Sequence, residues 1–142
     1  MLNNGTNNPM NIRTLSRSYN KFWKGQIGIY KGFAKFSDQE FSFRAACHLI
    51  MWSYRIAGCY TVDDIIRRYA PPCENPTISY AKYVSKHSGV PQFKPVQTKY
   101  EVASIVNTMF HFENGLSYDL YSDYYDYILR IIDKFNLKFY VK

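Results

Sequence analysis

Three short segments of this chain spell the start of a helix, and each is closed downstream by glycine or proline, so the backbone is parsed before hydrophobicity is considered. Ser37-Asp38-Gln39-Glu40, Thr61-Val62-Asp63-Asp64 and Thr98-Lys99-Tyr100-Glu101 share one layout, a hydroxyl residue followed three positions later by an acid. The hydroxyl accepts from the backbone of the third residue while the acid reaches back to the cap. The first box predicts a helix to Ala57 that ends near Gly58, and the second a shorter helix from Val62 to about Arg68, stopped by Pro71-Pro72. Asn75-Pro76 supplies an N-cap and a proline at the first helical position, starting a helix that Gly89 terminates. After a proline-bearing connector, Val90 to Val96, the third box opens a helix with Val102, Ile105, Val106, Met109 and Phe110 on one stripe, closing at Asn114-Gly115. A last helix is expected from about Asp119 to Phe135, with Asp119, Asp123 and Asp126 on a solvated face. Before residue 37 little helix is expected, because turn formers crowd Asn3 to Pro9 and Gly25, Gly28 and Gly32 suit short strands or irregular loops.

The predicted class is therefore mainly α, with an irregular or short-strand N-terminal segment. At 142 residues, 46% of them hydrophobic, the chain can bury one domain's core and is not a disordered tail. No apolar run approaches the roughly 18 residues of a membrane span. The polar amino terminus lacks the basic-then-apolar layout of a secretory signal, so synthesis and initial residence in cytosol are expected. Cys47, Cys59 and Cys73 match neither a disulfide scaffold nor a paired zinc motif, and read as reduced thiols. His48, His87 and His111 form no metal-ligand pair, so no metal or other cofactor is expected.

The net charge is +7, and Arg13, Arg17, Lys21, Lys24, Lys31 and Lys35 all precede the first acid, Asp38. Such a front segment attracts polyanions, whether nucleic acid, anionic lipid or cell wall, and also suits pairing with the acids that follow Tyr100. Nucleic acid is the weaker partner, since the chain carries no RNA-recognition signature, zinc finger or helix-turn-helix.

Glu113 is the residue that looks chemical. It follows Met109 by four positions and Val106 by seven, which places its carboxyl on the apolar stripe near the negative end of the helix dipole. Both effects favour a protonated acid, the state a glycosidase needs in a general acid. The same position also suits a salt bridge to a basic residue of the front segment, Arg13 among them.

Six blocks carry a family resemblance: Asn7-Asn8-Pro9-Met10-Asn11-Ile12-Arg13, Phe22 to Gly28, Gly32 to Phe36, Arg44-Ala45-Ala46, Thr61 to Pro72 with Glu74-Asn75-Pro76-Thr77 and Tyr80, and Phe112-Glu113-Asn114-Gly115. Together they resemble a family of phage proteins often labelled virion structural proteins, similar to the lytic enzyme of enveloped double-stranded RNA phages. The resemblance implies that residues 1–142 form a single small lysozyme-like domain that cleaves the glycan strands of bacterial peptidoglycan. The loop from Asn8 to Phe36 precedes the glutamate, where lysozyme-like enzymes have the substrate-lining loop after it, so a circular permutation is implied.

By the same resemblance Glu113 is the catalytic acid and Tyr80 hydrogen-bonds near the scissile sugar. Asn11 and Arg13 line the cleft, Asn75 and Thr77 hold the segment that presents Tyr80, and Asn114 contributes to substrate binding. Asn75 also suits a simple helix cap, and Tyr80 simple core packing. Glu74 is the candidate second carboxylate for hydrolysis. Without one, the substrate's own N-acetyl or 6-hydroxyl group serves as nucleophile, as in a lytic transglycosylase. Met10 stands where the family commonly has glycine, and Phe112 where it has histidine. The implied setting is a monomer made in the host cytoplasm that acts on the cell wall, either in the virion with other virion proteins or at lysis. A non-catalytic virion or binding module on the same fold is the competing reading.

Overall fold

One helix is buried on every side and sits at the centre. In α5 (Lys99–Glu113) the residues Val102, Ala103 and Ile105 through His111 are all buried. The single stripe expected from the sequence is thus widened to the whole circumference. The computed structural model describes residues 5–15, 21–70, 77–115 and 123–142.

Around α5 pack α1 (Glu40–His48), α4 (Thr77–Ser88) and α6 (Tyr125–Lys134), while α3 (Val62–Tyr69) packs on α4. The fold is mainly α, as the helix signals require, with a small two-stranded sheet at the front. One hydrophobic cluster runs through all of it, from Met10 to Ile132. Among the described residues no helix is long and apolar enough to cross a membrane.

Two of the three capping boxes form as expected. Thr61 accepts from the Asp64 amide and Thr98 from the Glu101 amide, and each acid returns a bond to its cap. The Ser37 box does not form. Its backbone N–H is tied to the Gly25 carbonyl at 3.0 Å, so Ser37 belongs to the sheet's end and α1 starts three residues later. Asp38 instead takes the Glu40 amide, and the Glu40 carboxylate pairs with Lys134 at 2.8 Å. The chain then runs from α1 through a π-helical segment (Leu49–Ser53) into α2 (Tyr54–Ile56), ending at Gly58 with φ 85°. The start of α4 at Asn75-Pro76 and the beginning of the last helix at Asp119 lie outside the described residues. Helix α6 begins at Tyr125, so Asp123 and Tyr124, expected inside it, precede it, and it buries Ile128, Ile131 and Ile132.

Strands β1 (Gln26–Tyr30) and β2 (Phe33–Phe36) form an antiparallel hairpin with a bulge at Ile27. The two-residue turn puts both Lys31 (φ 51°) and Gly32 (φ 86°) in the left-handed region, the geometry that matches the hairpin's twist. Residues 12–14 lie along the other edge of β2, with Ala34 N–H donating to Ile12 and Thr14 N–H to Gly32.

Ion pairs join Arg67 to Asp63, Lys99 to Asp133 and Lys134 to Glu40. Cys47 and Cys59 are free thiols, and burial pushes Cys47 up; Cys73 lies outside the described residues.

Gly25 is the point where the hairpin is pressed against α1. It has φ 80°, and a Cβ there would sit 2.1 Å from the Phe41 ring. Gly25→Ala is therefore expected to cost about 3 kcal/mol, from backbone strain plus overpacking. Urea unfolding followed by circular dichroism measures it.

Candidate active site

Glu113 stands at the last position of α5, half-buried, on the wall of a cleft of about 630 Å³. Four parts of the fold supply the other walls: the 11–15 segment with Trp23, the hairpin through Phe33, the π-helical turn through Leu49 and Tyr54, and the end of α3 through Arg68, Tyr69 and Ala70. The π turn matters to this shape. The Tyr54 N–H donates to the Leu49 carbonyl, an i to i+5 bond that brings these two side chains to the same side of the helix.

The nearest partner of Glu113 is Asn11, whose Nδ2 donates to Oε1 at 2.9 Å. An amide thus fills the place that a guanidinium was a candidate to occupy. Asn11 is held in the left-handed region, φ 53°, at the end of a turn closed by its own N–H on the Asn8 carbonyl. Asparagine tolerates that conformation better than most residues. Met10, standing where the resembling family commonly has glycine, stays out of that region and sends its side chain wholly into the core.

This turn is clamped from several directions. Buried Asn8 uses its full side-chain capacity: Nδ2 donates to the Ile12 and Ala34 carbonyls at 2.8 Å each, and Oδ1 accepts from Ile12 N–H and Ser42 Oγ at 2.9 Å each. Ser42 Oγ in turn accepts from Met10 N–H. The Tyr69 hydroxyl donates to the Met10 carbonyl, and Asn114 Nδ2 donates to Pro9 at 2.9 Å as well as to Phe110 at 2.8 Å. Asn114 therefore positions the loop from the end of α5 and is not on the cleft wall.

Behind the carboxylate lie phenols. Burial first, and the Glu113 charge second, push the Tyr69 and Tyr80 hydroxyls well above their ordinary range, so both remain protonated donors. The Tyr80 hydroxyl faces Glu113 but falls short of a well-formed hydrogen bond to it. Its ring stacks on Phe112 with centroids 3.8 Å apart. Tyr80 is wholly buried, so the direct sugar contact implied by resemblance is replaced by a place beneath the acid. Phe112 serves that packing.

Arg13 lies on the cleft wall with its guanidinium 4.8 Å from the centre of the Phe33 ring, and its carbonyl accepts from Trp23 Nε1 at 2.9 Å. Thr77 is elsewhere: it is buried and donates to the Ala70 carbonyl at 2.8 Å, tying the start of α4 to the end of α3. That bond does hold the segment from which Tyr80 projects. Glu74 and Asn75 lie outside the described residues. Among the described wall residues Glu113 is the one acid, and no three His, Cys, Asp or Glu side chains gather into a metal site. Tyr69 and Arg68 were not singled out by sequence. Their only signal was membership of the second capped helix, whose last turn points into the cleft.

No protein family model matches the chain. It is similar to Protein P5 of Pseudoalteromonas phage PM2, with 26% identity over 111 residues that span 77% of this chain and 68% of that protein. The phage association drawn from the motifs thus extends to a similarity over most of the chain.

Asn8→Ala should lower stability by about 3 kcal/mol, because it leaves buried backbone and hydroxyl groups unpaired. The same variant should increase amide hydrogen exchange across residues 9–13, measured by mass spectrometry, while exchange in α6 changes no more than the global loss requires.

Proposed function

We propose that this protein is a lysozyme-like enzyme that cleaves the glycan strands of peptidoglycan, with Glu113 as general acid and base. The observation that carries this reading is a carboxylate at the end of a buried helix, opening onto a cleft and oriented by an amide on a clamped loop. A volume of about 630 Å³ suits a bound saccharide, within the roughly 300–1,000 Å³ of ligand clefts. Trp23, Phe33 and Tyr69 supply apolar ring faces on which sugar rings pack.

In the reaction, Glu113 donates its proton to the glycosidic oxygen as the bond to the anomeric carbon breaks. Asn11 restrains the carboxyl so that one oxygen stays aimed at the cleft. With Glu113 as the one acid among the described wall residues, the single-carboxylate route is favoured. The substrate's 6-hydroxyl or N-acetyl oxygen attacks the anomeric carbon. In the 6-hydroxyl case the Glu113 carboxylate takes the proton that this group releases, restoring the acid and leaving a 1,6-anhydro end. The Tyr80 phenol, buried beneath the carboxylate, keeps its own proton throughout. The site of action is the bacterial wall, with the protein made in the host cytoplasm and delivered by the virion or at lysis.

Glu113→Gln should reduce release of soluble muropeptides from purified walls by at least about 100-fold. Asn11→Gly, which keeps the left-handed backbone and removes the amide, should reduce it by about tenfold with little loss of stability. Anhydro-sugar ends in the mass spectrum of the products are expected. A wild-type protein that releases nothing, or a Glu113→Gln variant as active as wild type, overturns the proposal.

A further inference from the structure

Two adjacent arginines in the last turn of α3 have different fates. Arg67 Nε is paired with Asp63 at 2.8 Å, one helical turn back, and its charge is spent on the surface. Arg68 points the other way, onto the cleft wall, with its guanidinium 5.9 Å from the centre of the Tyr54 ring. Among the described residues it has no carboxylate partner, and the residue is exposed. Tyr54 is itself buried, and its ring supports the guanidinium at the cleft wall. Across the same cleft Arg13 rests on Phe33 in a similar way.

Among the described wall residues Glu113 is the one acid and Arg68 stands unpaired over a ring, an arrangement suited to an anionic group on the ligand. We infer that Arg68 is a specificity-determining residue that binds a carboxylate carried by the glycan substrate, on a sugar substituent or on its peptide stem. The inference rests on the proposed glycan-binding role of the cleft and names the chemical class of its ligand, an anionic glycan. Arg68 takes the carboxylate through paired N–H donors, a geometry that lysine cannot reproduce.

The test uses the full chain carrying Glu113→Gln, so that ligand is not consumed, and soluble uncross-linked glycan strands with their peptide stems. The same strands with all carboxyls converted to primary amides by carbodiimide and ammonia are the comparison ligand. Calorimetry should show that amidation weakens binding about tenfold, the loss of one charge-assisted contact of about 1.4 kcal/mol. Adding Arg68→Gln should abolish the difference between the two ligands, Arg68→Lys should keep part of it, and Arg67→Gln, which removes an equal charge one residue away, should leave it intact. The inference is overturned if Arg68→Gln retains the preference, if Arg67→Gln removes as much of it, or if the protein binds both ligands equally or neither. Digestion of walls by the wild-type chain is scored separately. Binding that depends on Arg68 without any release of fragments would uphold this inference and sink the catalytic reading.

Discussion

The buried side chain of Asn8 is the interaction on which the site depends. A primary amide has two donor hydrogens and an acceptor oxygen with two lone pairs, and in Asn8 all four positions are used inside the protein. Its partners lie on three separate parts of the chain: the 12–14 segment, strand β2 and helix α1. An unpaired polar group buried at that depth is costly, so the three parts are locked in register or not assembled at all. The turn that presents Asn11 to Glu113 grows directly from this node, and its strained backbone at Asn11 is sustained by the bonds around it.

Helix α5 supplies the other half of the geometry. Because it is buried all round, its axis is set by contacts with α1, α4 and α6, and its last residue has no freedom to wander. Glu113 is carried to the place where this rigid element meets the clamped turn, with Asn114 bonding the two together. Charged groups are unwelcome inside such a helix and acceptable at its end, where the cleft lets in water. The phenols of Tyr69 and Tyr80 then make the ground behind the carboxylate polar without making it wet.

The cleft joins ring faces with positive charge. Trp23, Phe33 and Tyr54 are each engaged by protein groups on one side, as in the Trp23 bond to the Arg13 carbonyl and the two guanidinium–ring contacts. Those contacts hold side chains that would otherwise lose entropy on binding, so the wall is arranged before a ligand arrives. The +7 net charge acts at longer range and only concentrates polyanions near the surface.

Local chemistry was legible in the chain itself. Caps at Thr61 and Thr98, stops at Gly58 and Gly89, and the apolar content of the stretch ending at Glu113 are settled within a few residues, because a hydrogen bond to a helix terminus or a left-handed glycine needs no distant partner. The Ser37 box failed for the complementary reason: its backbone was claimed by Gly25, a neighbour only in the folded hairpin. The π turn at Leu49–Ser53, the pairing of Asn11 with Glu113 across 102 residues and the turning of Arg68 into the cleft had no local signal. They were decided by packing, which fixes which side chains share space only once every helix has found its neighbour.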